Sequence, residues 1–266
     1  MNELKLLSLD FDGTMVGPWL NGTAAVSQEL IECLHALRKA GALLAVNTGR
    51  TLPLVDQGFE LFPVRPDFAL TTEREMFRRT PAGWQAFSRW NERCQQDHER
   101  LFNDAAQIMA DIEEHVSQER KVRVYRESGR LVGLIAQNNA EMDEVVVYLQ
   151  DQCKRVANLW FQRNSIYLRF CHSVYHKGSV LQALQAELGI RAEETFAAGD
   201  NFNDLPMLDP NLARHLACPA NSIEEVKQTV SSHGGYVAEM AGGDGVAEAL
   251  RRACPQLESA GKRTEE

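Results

Sequence analysis

The sequence predicts an α/β fold, a doubly wound, Rossmann-like parallel sheet interrupted by an inserted α+β module. Three observations predict it. Short apolar runs stop abruptly at polar residues, as strands buried on both faces do when their ends carry chemistry. Helical spacing alternates with these runs in the order strand, helix, strand, which parallel pairing requires. Between residues 81 and 171 that alternation gives way to locally paired strands with helices outside them. The expected division is therefore a core of residues 1–80 and 172–266 around a module at 81–171.

The elements follow in order. Lys5 to Leu9 reads as a buried strand that delivers Asp10. From Ser27 to Ala40 the apolar positions Leu30, Ile31, Leu34, Leu37 and Ala40 recur at helical spacing, with Ser27 placed to cap the start and Gly41 to end the helix. Ala42 to Val46 is a second strand, ending at Asn47-Thr48-Gly49-Arg50, and Asp67 to Thr71 a third. Thr80-Pro81-Ala82-Gly83 is a turn signal at which the inserted module is expected to open. Within it we expect a long helix over 91–116 and a hairpin of Val122–Tyr125 and Leu131–Ala136 about Glu127-Ser128-Gly129-Arg130. A helix over 140–153 and a strand over 159–170 complete the module. The core resumes with a helix from Lys177 to Leu188, a strand from Glu194 to Ala198 and a helix from Gly245 to Arg252, with Asp244 as its cap. The polar tail 258–266 lacks periodicity and is expected to be mobile.

Bulk properties narrow the function. Hydrophobic residues make up 44% and charged residues 24% of 266, enough for a substantial core. The formal net charge of -9 gives no support to nucleic-acid binding, which needs clustered Lys and Arg to neutralise phosphates. No stretch approaches the roughly 20 apolar residues of a membrane span, and Met1–Leu9 lacks the basic start and apolar run of a signal peptide. The expected setting is the cytoplasm, with neither membrane nor nucleic acid as partner. Six cysteines are scattered without a C-x-x-C pair, which points to reduced, buried thiols and away from a zinc or redox site.

The chemistry gathers at strand ends. Asp10 and Asp12 stand two apart, so an extended chain sends both side chains to one side, and Gly13-Thr14 lets the chain turn. Gly199-Asp200-Asn201-Phe202-Asn203-Asp204 brings two more carboxylates after another buried strand, where open parallel sheets gather their ligands. Like charges about 4 Å apart cost roughly 4 kcal/mol even at an effective dielectric near 20, so the cluster requires compensation. Lys177 is the evident cation, and all-oxygen ligands suit magnesium. Thr48 and Gly49 can offer a hydroxyl and a backbone N–H to the same phosphoryl oxygen, while Arg50 either adds charge or pairs with a carboxylate.

Taken as a set, Asp10-Phe11-Asp12-Gly13-Thr14, Thr48-Gly49-Arg50, Lys177-Gly178 and Gly199-Asp200-x-x-Asn203-Asp204 resemble the four motifs of the haloacid dehalogenase superfamily. A module inserted between the second and third motifs resembles the cap of its type II, Cof-like branch, which includes sugar-phosphate phosphatases and shares its cap position with sucrose-phosphate phosphatases and eukaryotic phosphomannomutases. The resemblance implies that Asp10 is the nucleophile and Asp12 the general acid and base. Magnesium is implied on Asp10, Asp200 and the backbone carbonyl of Asp12, with Asp204 near it. Thr48, Gly49, Lys177 and Asn203 are implied to hold the phosphoryl group. The expected function is a magnesium-dependent phosphatase acting through an aspartyl-phosphate on a small phosphorylated metabolite, a sugar phosphate by class. The expected state is a monomer or homodimer. A phosphomutase, or a binding protein on the same fold without turnover, are the alternatives.

The chain also departs from that pattern. Thr71-Thr72-Glu73-Arg74 stands where relatives carry Asn-Gly at the cap entrance, so no substrate contact is carried over there. Cys218-Pro219-Ala220-Asn221-Ser222 replaces a small-residue turn, and Asn221 is expected to cap the helix beginning at Ile223. His172 and His176 are read as hydrogen-bonded groups near a linker. Trp84, Trp90, Trp160 and Tyr125 are candidates to line the inserted module. Arg50, Arg123, Tyr125, Gln162 and Arg163 are the candidate substrate contacts.

Overall fold

The computed structural model describes residues 3–20, 23–60, 62–119 and 122–257. They form two compact units, Met1–Trp90 with Lys177–Glu266, and Asn91–His176. The first unit opens with β1 (Leu6–Leu9), every residue of which is buried. A hairpin of β2 (Val16–Leu20) and β3 (Thr23–Val26) follows, which the sequence did not announce. In α1 (Gln28–Lys39) the Ser27 hydroxyl oxygen accepts from the Leu30 N–H at 3.0 Å, a cap that contributes about 1 kcal/mol. Leu30, Ile31, Cys33, Leu34 and Leu37 form its buried stripe. Then come β4 (Leu43–Asn47), α2 (Leu52–Gly58), β5 (Phe68–Thr71), β6 (Glu75–Thr80) and β7 (Gly83–Ala86). The turn signal at 80–83 joins β6 to β7, and β6 pairs antiparallel with β5. The hairpin thereby extends the core sheet, and the unit boundary falls at Asn91 where the sequence reading placed it at 81.

The second unit, from Asn91, contains α3 (Trp90–Asp104, its first residue still in the first unit), α4 (Ala106–Glu119), β8 (Arg123–Glu127), β9 (Arg130–Ile135), α5 (Asn139–Cys153), β10 (Leu159–Asn164) and β11 (Tyr167–His172). The single helix expected over 91–116 is interrupted at Ala105 without proline or glycine. The Ala105 N–H still reaches the Leu101 carbonyl at 2.8 Å, and its own carbonyl accepts from Met109 at 2.9 Å, so the bonding pattern runs through. The β8–β9 hairpin turns on Ser128 and Gly129, both left-handed, as a two-residue hairpin loop demands. The strand expected over 159–170 is instead a second hairpin, turned at Ser165 with φ +53°. The buried positions are Leu159 and Phe161 before the turn and Leu168 and Phe170 after it, so the alternation changes phase across 163–166, which one continuous strand would not allow. The sheet runs β10-β11-β9-β8, and its Phe161, Leu168, Phe170 and Leu134 pack with Ile112, Met142, Val145 and Leu149 of α4 and α5.

The chain returns to the first unit through α6 (Lys177–Leu188), β12 (Thr195–Ala198), β13 (His215–Cys218), α7 (Glu224–Ser232), β14 (Tyr236–Val237) and α8 (Gly242–Ala253). A 3₁₀ turn at Phe202–Met207 follows β12. Helix α8 begins at Gly242 and is capped at Ala241, so Asp244 sits in its first turn and does not cap it. The sheet order is β14-β13-β12-β1-β4-β5-β6-β7. Strands β14 to β5 are parallel and the β6–β7 edge is antiparallel, so the sheet is mixed where a purely parallel one was expected. The chain builds outward from β1 through β4 and β5, then returns and builds the other way from β12. The reversal places the carboxyl ends of β1, β4 and β12 around one crevice, where such sheets bind ligands. All six cysteines are free and buried. Among the described residues no helix is long and apolar enough to cross a membrane. The tail 258–266 lies outside the described residues.

Candidate active site

Strand β1 carries the chain through the middle of the sheet and releases it at Asp10, whose N–H is still bonded to the Ala198 carbonyl at 3.0 Å. Gly13, at φ +81°, turns the chain, and a Cβ there would lie 2.5 Å from an Asp200 carboxylate oxygen. Glycine is thus required both by backbone conformation and by the approach of Asp200. The Thr14 hydroxyl donates to Asp200 Oδ1 at 2.8 Å, tying the two loops together. At the end of β12, a Cβ on Gly199 would lie 2.3 Å from Asp204 Cγ. That space lets Asp204 fold back so that its Oδ2 accepts from the N–H groups of Asp200 and Asn201 at 2.8 and 2.9 Å.

Lys177 opens α6 with its side chain fully buried, and its ammonium donates to Asp10 at 2.7 Å and to Asp204 at 2.6 Å. Asn47, a polar residue at the end of apolar β4, donates to the Lys177 backbone carbonyl at 3.0 Å and fixes where the helix starts. Burial alone would push the ammonium pKa down, but the fields of Asp10, Asp204 and Glu73 outweigh it and the net shift is upward. For Asp10, burial raises the pKa well above the ordinary carboxylate value; Lys177 opposes this, and Asp204 and Asp200 add to it. Asp200 is pushed up to about 7 by burial and by the neighbouring Asp204. One ammonium against three carboxylates leaves an excess of negative charge.

Ligand atoms of Asp10, Asp200 and Asp204 all lie within 4.8 Å of one another, and all three residues are buried. Asp10 Oδ2 is buried without a hydrogen-bond partner among the described residues. A hard divalent cation with oxygen ligands fits this set in charge, in donor chemistry and in the orphaned oxygen. The Asp12 side chain is not part of the cluster. It is gripped by Arg50 through two hydrogen bonds of 2.6 and 2.7 Å, and the guanidinium lies over the Phe11 ring at 4.8 Å. Arg50 is therefore placed as a clamp on Asp12, which accounts for it without a substrate.

Thr48 is buried beside this site, and its backbone carbonyl accepts from the Glu73 N–H at 3.0 Å. Asn203 is buried and donates from Nδ2 to Glu73 Oε1 at 2.6 Å. The same oxygen lies 3.2 Å from where a Cβ on Gly49 would stand. The structure thus groups Asp10, Asp200, Asp204 and Lys177 directly, and joins Thr48, Gly49 and Asn203 through Glu73. Sequence reasoning missed Thr14, Asn47, Glu73 and Asn221. Asn47 had a signal, a polar residue inside an apolar strand. Asn221 does not cap α7, whose N-cap is Ile223. Instead it donates to the Gly13 carbonyl at 2.8 Å and accepts from the Gly242 N–H at 2.7 Å, fastening the Asp10 loop to the start of α8.

In the second unit, strand pairing places Gln162 opposite Arg169, Arg169 opposite Gly133 and Gly133 opposite Tyr125. Leu159 and Phe161 enter the core with α4 and α5, so Trp160 and Gln162 occupy the other, open face. Arg169, in that row, was not foreseen. Arg123 is exposed opposite Ile135. Arg163 points elsewhere, donating to Asp143 at 2.5 Å and to the carbonyls of Asn139 and Ser165, which is a structural role against α5. Trp84 and Trp90 lie in the first unit, bonded to Asp56 and to the Arg74 carbonyl, and do not line the second.

Comparison with known proteins agrees with this geometry. The family of haloacid dehalogenase-like hydrolases matches residues 82–250, more than half of the chain. A phosphoglycolate phosphatase from Methanothermobacter thermautotrophicus is 38% identical over 77 residues, 29% of this chain and 32% of that protein. The match thus spans about a third of the curated relative's length. The crystal structure of the sucrose-phosphatase from Synechocystis sp. PCC6803, in complex with sucrose and phosphate, is similar at TM-score 0.68 and 18% identity. That likeness covers 94% of this chain and 98% of the other. A haloacid dehalogenase-like hydrolase from B. subtilis is similar at TM-score 0.62 and 17% identity, over 93% and 99% of the two chains. Those two likenesses establish the fold; the family match, joined to a buried lysine shared by Asp10 at the end of β1 and Asp204 in the turn after β12, establishes the lineage. The chain belongs to the haloacid dehalogenase-like hydrolases.

Proposed function

We propose that this hydrolase is a magnesium-dependent phosphatase that moves the phosphoryl group of a small phosphorylated metabolite onto Asp10 and then to water. The observation that carries the reading is the Lys177 ammonium held between Asp10 and Asp204, with Asp200 alongside. A buried carboxylate nucleophile needs its charge balanced before a phosphate dianion can approach, and this arrangement supplies one fixed cation together with the ligands for another. Asp10, Asp200 and the backbone carbonyl of Asp12 would hold magnesium with Asp204 near it, and the ion, when bound, neutralises charge on the phosphoryl oxygens.

In the proposed reaction an Asp10 oxygen attacks phosphorus while the ester oxygen departs, taking a proton from Asp12. Asp12, now a carboxylate, then takes a proton from water as that water attacks the aspartyl-phosphate, which releases inorganic phosphate and restores Asp10. Arg50 fixes the direction of the Asp12 side chain between these steps. Thr48, Gly49, Lys177 and Asn203 hold the phosphoryl oxygens. The second unit is proposed as the domain that selects the leaving group, with Arg123, Tyr125 and Gln162 as contacts.

A sugar phosphate is the favoured class. It is supported by the likeness to a sucrose-phosphatase, and the phosphoglycolate phosphatase supports the broader class of small phosphorylated metabolites. The proposal takes the enzyme as cytoplasmic, a monomer or homodimer. The test is phosphate release from a panel of sugar phosphates and phosphorylated hydroxy acids, with magnesium and again with a chelator. Release from at least one member that stops on chelation is expected; no release from any member overturns the reading.

A further inference from the structure

We propose that Glu73 is a positioning residue for phosphoryl binding, which fixes the Asn203 carboxamide so that its remaining N–H, and not its oxygen, is presented to the phosphoryl group. The inference rests on the phosphatase reading above. Glu73 is buried, although a glutamate following a strand is ordinarily solvated. Its backbone is held in the left-handed region at φ +65°, directly after Thr72 at φ +49°. Two successive non-glycine residues there, one of them β-branched, store strain that only a surrounding structure can maintain. The restraint is visible: the Thr72 N–H donates to the Arg50 carbonyl at 2.9 Å and the Glu73 N–H to the Thr48 carbonyl at 3.0 Å. The 72–73 turn is thus docked on the loop that carries Thr48, Gly49 and Arg50.

What the strained turn accomplishes is the placement of one carboxylate. Glu73 Oε1 accepts from Asn203 Nδ2 at 2.6 Å, a charge-assisted bond between side chains that are both buried. A carboxamide can turn over and exchange its N–H₂ for its oxygen, and the two orientations are nearly equal in shape. An ionised carboxylate accepts only, so it settles the choice: Nδ2 faces Glu73 and one N–H remains. Asn203 Oδ1 is buried with no partner among the described residues, so no other bond sets the orientation. A phosphoryl oxygen also accepts only, and an amide turned the other way would repel it. The charge of Glu73 also belongs to the field that keeps Lys177 an ammonium, so its cost beside an anionic substrate is shared with that cation.

The test is a cycle of variants, E73A, E73Q, N203A and E73A/N203A, assayed with p-nitrophenyl phosphate and magnesium. We expect E73A and N203A each to raise KM about tenfold, the scale of one hydrogen bond to a charged group, with a smaller change in kcat. The double variant is expected to match N203A, because Glu73 acts through Asn203. E73Q can present either its oxygen or its N–H₂ to Asn203, so it only partly fixes the choice, and its KM is expected to fall between those of the parent and E73A. Losses that multiply in the double variant overturn the proposal, and so does a lower KM in E73A, which would make Glu73 a competitor of phosphate. Should the parent release phosphate from no ester, the phosphatase reading falls on its own. Glu73 is then judged by the Asn203 side-chain amide pair in a ¹H–¹⁵N spectrum, assigned by its loss in N203A. A pair that shifts in E73A, and by less in E73Q, supports the orientation; a pair unmoved in E73A overturns it.

Discussion

The two sheets of this protein carry polar chemistry in opposite ways. In the first unit it sits at and just beyond the ends of parallel strands: Asp10 after β1 and Asp200 and Asp204 after β12 bring three carboxylates within 4.8 Å, two of which, Asp10 and Asp204, share the buried Lys177. In the second unit it lies along a sheet face, as the row of Gln162, Arg169 and Tyr125 across three strands, partly open to water. Ends concentrate charge and bury it, which makes each residue there hard to replace. A face spreads groups at strand spacing, where each is a small and exchangeable part of a surface. On the proposed function, the difference is that between a fixed reaction and an adjustable choice of substrate.

The comparison can be broken most forcefully at Asp10. D10N keeps the shape of the side chain and removes the nucleophile, so turnover is expected to fall at least about a thousandfold. Phosphate release near the parental rate from the purified variant would contradict the whole first-unit account. Next in size is K177M. It leaves Asp10 and Asp204 buried without their shared cation, and breaking such a pair costs about 3–5 kcal/mol. Urea denaturation should show that loss, and a stability within about 0.5 kcal/mol of the parent would mean that the lysine is not the structural counter-charge.

Titration of the metal-free protein sharpens the same point. Burial and Asp204 raise the folded pKa of Asp200 to about 7 from an ordinary 3.8, so between those values the folded protein binds the proton more tightly than the unfolded chain. Its contribution to stability is present at low pH and is lost as pH rises toward 7. In a chelator, Tm is expected to fall more steeply over that range in the parent than in D200N, and magnesium is expected to reduce the parental slope. Equal slopes in the parent and D200N would remove Asp200 from the account. A smaller effect is expected from R50K, which cannot reproduce the two-bonded grip on Asp12 and should lose about tenfold in kcat with stability little changed. The smallest effects belong to the second sheet. Y125A and R169A should leave stability within about 0.5 kcal/mol while shifting KM unequally among substrates. A uniform loss of kcat on every substrate would erase the contrast between ends and face.

How much of this was legible follows from the same contrast. Asp10, Thr48, Lys177 and Asp200 could be read because each stands where an apolar run or a helical period breaks, and that break is a local signal. The inserted position of the second unit was legible from the change in periodicity, but its border was displaced because β6 and β7 look like a freestanding hairpin until their pairing with β5 is known. Glu73 and Asn221 were not legible as site residues. Their partners, Asn203, Gly13 and Gly242, are distant in sequence, and nothing near them reports that approach. Arg163 was misplaced for a simpler reason: neighbouring strand residues face opposite sides, so Arg163 shares the side of Leu159 and Phe161, not that of Gln162. Arg169 was overlooked with it.

The central claim is that phosphorus is bonded to Asp10 during turnover. It is tested most directly by quenching the working enzyme with borohydride, which reduces an acyl phosphate to the alcohol, and sequencing the peptide that contains residue 10 by mass spectrometry. The account predicts homoserine at position 10, dependent on substrate and magnesium and absent without either. Homoserine at another aspartate, or rapid phosphate release with an unmodified residue 10 under conditions that trap other acyl phosphates, would contradict it.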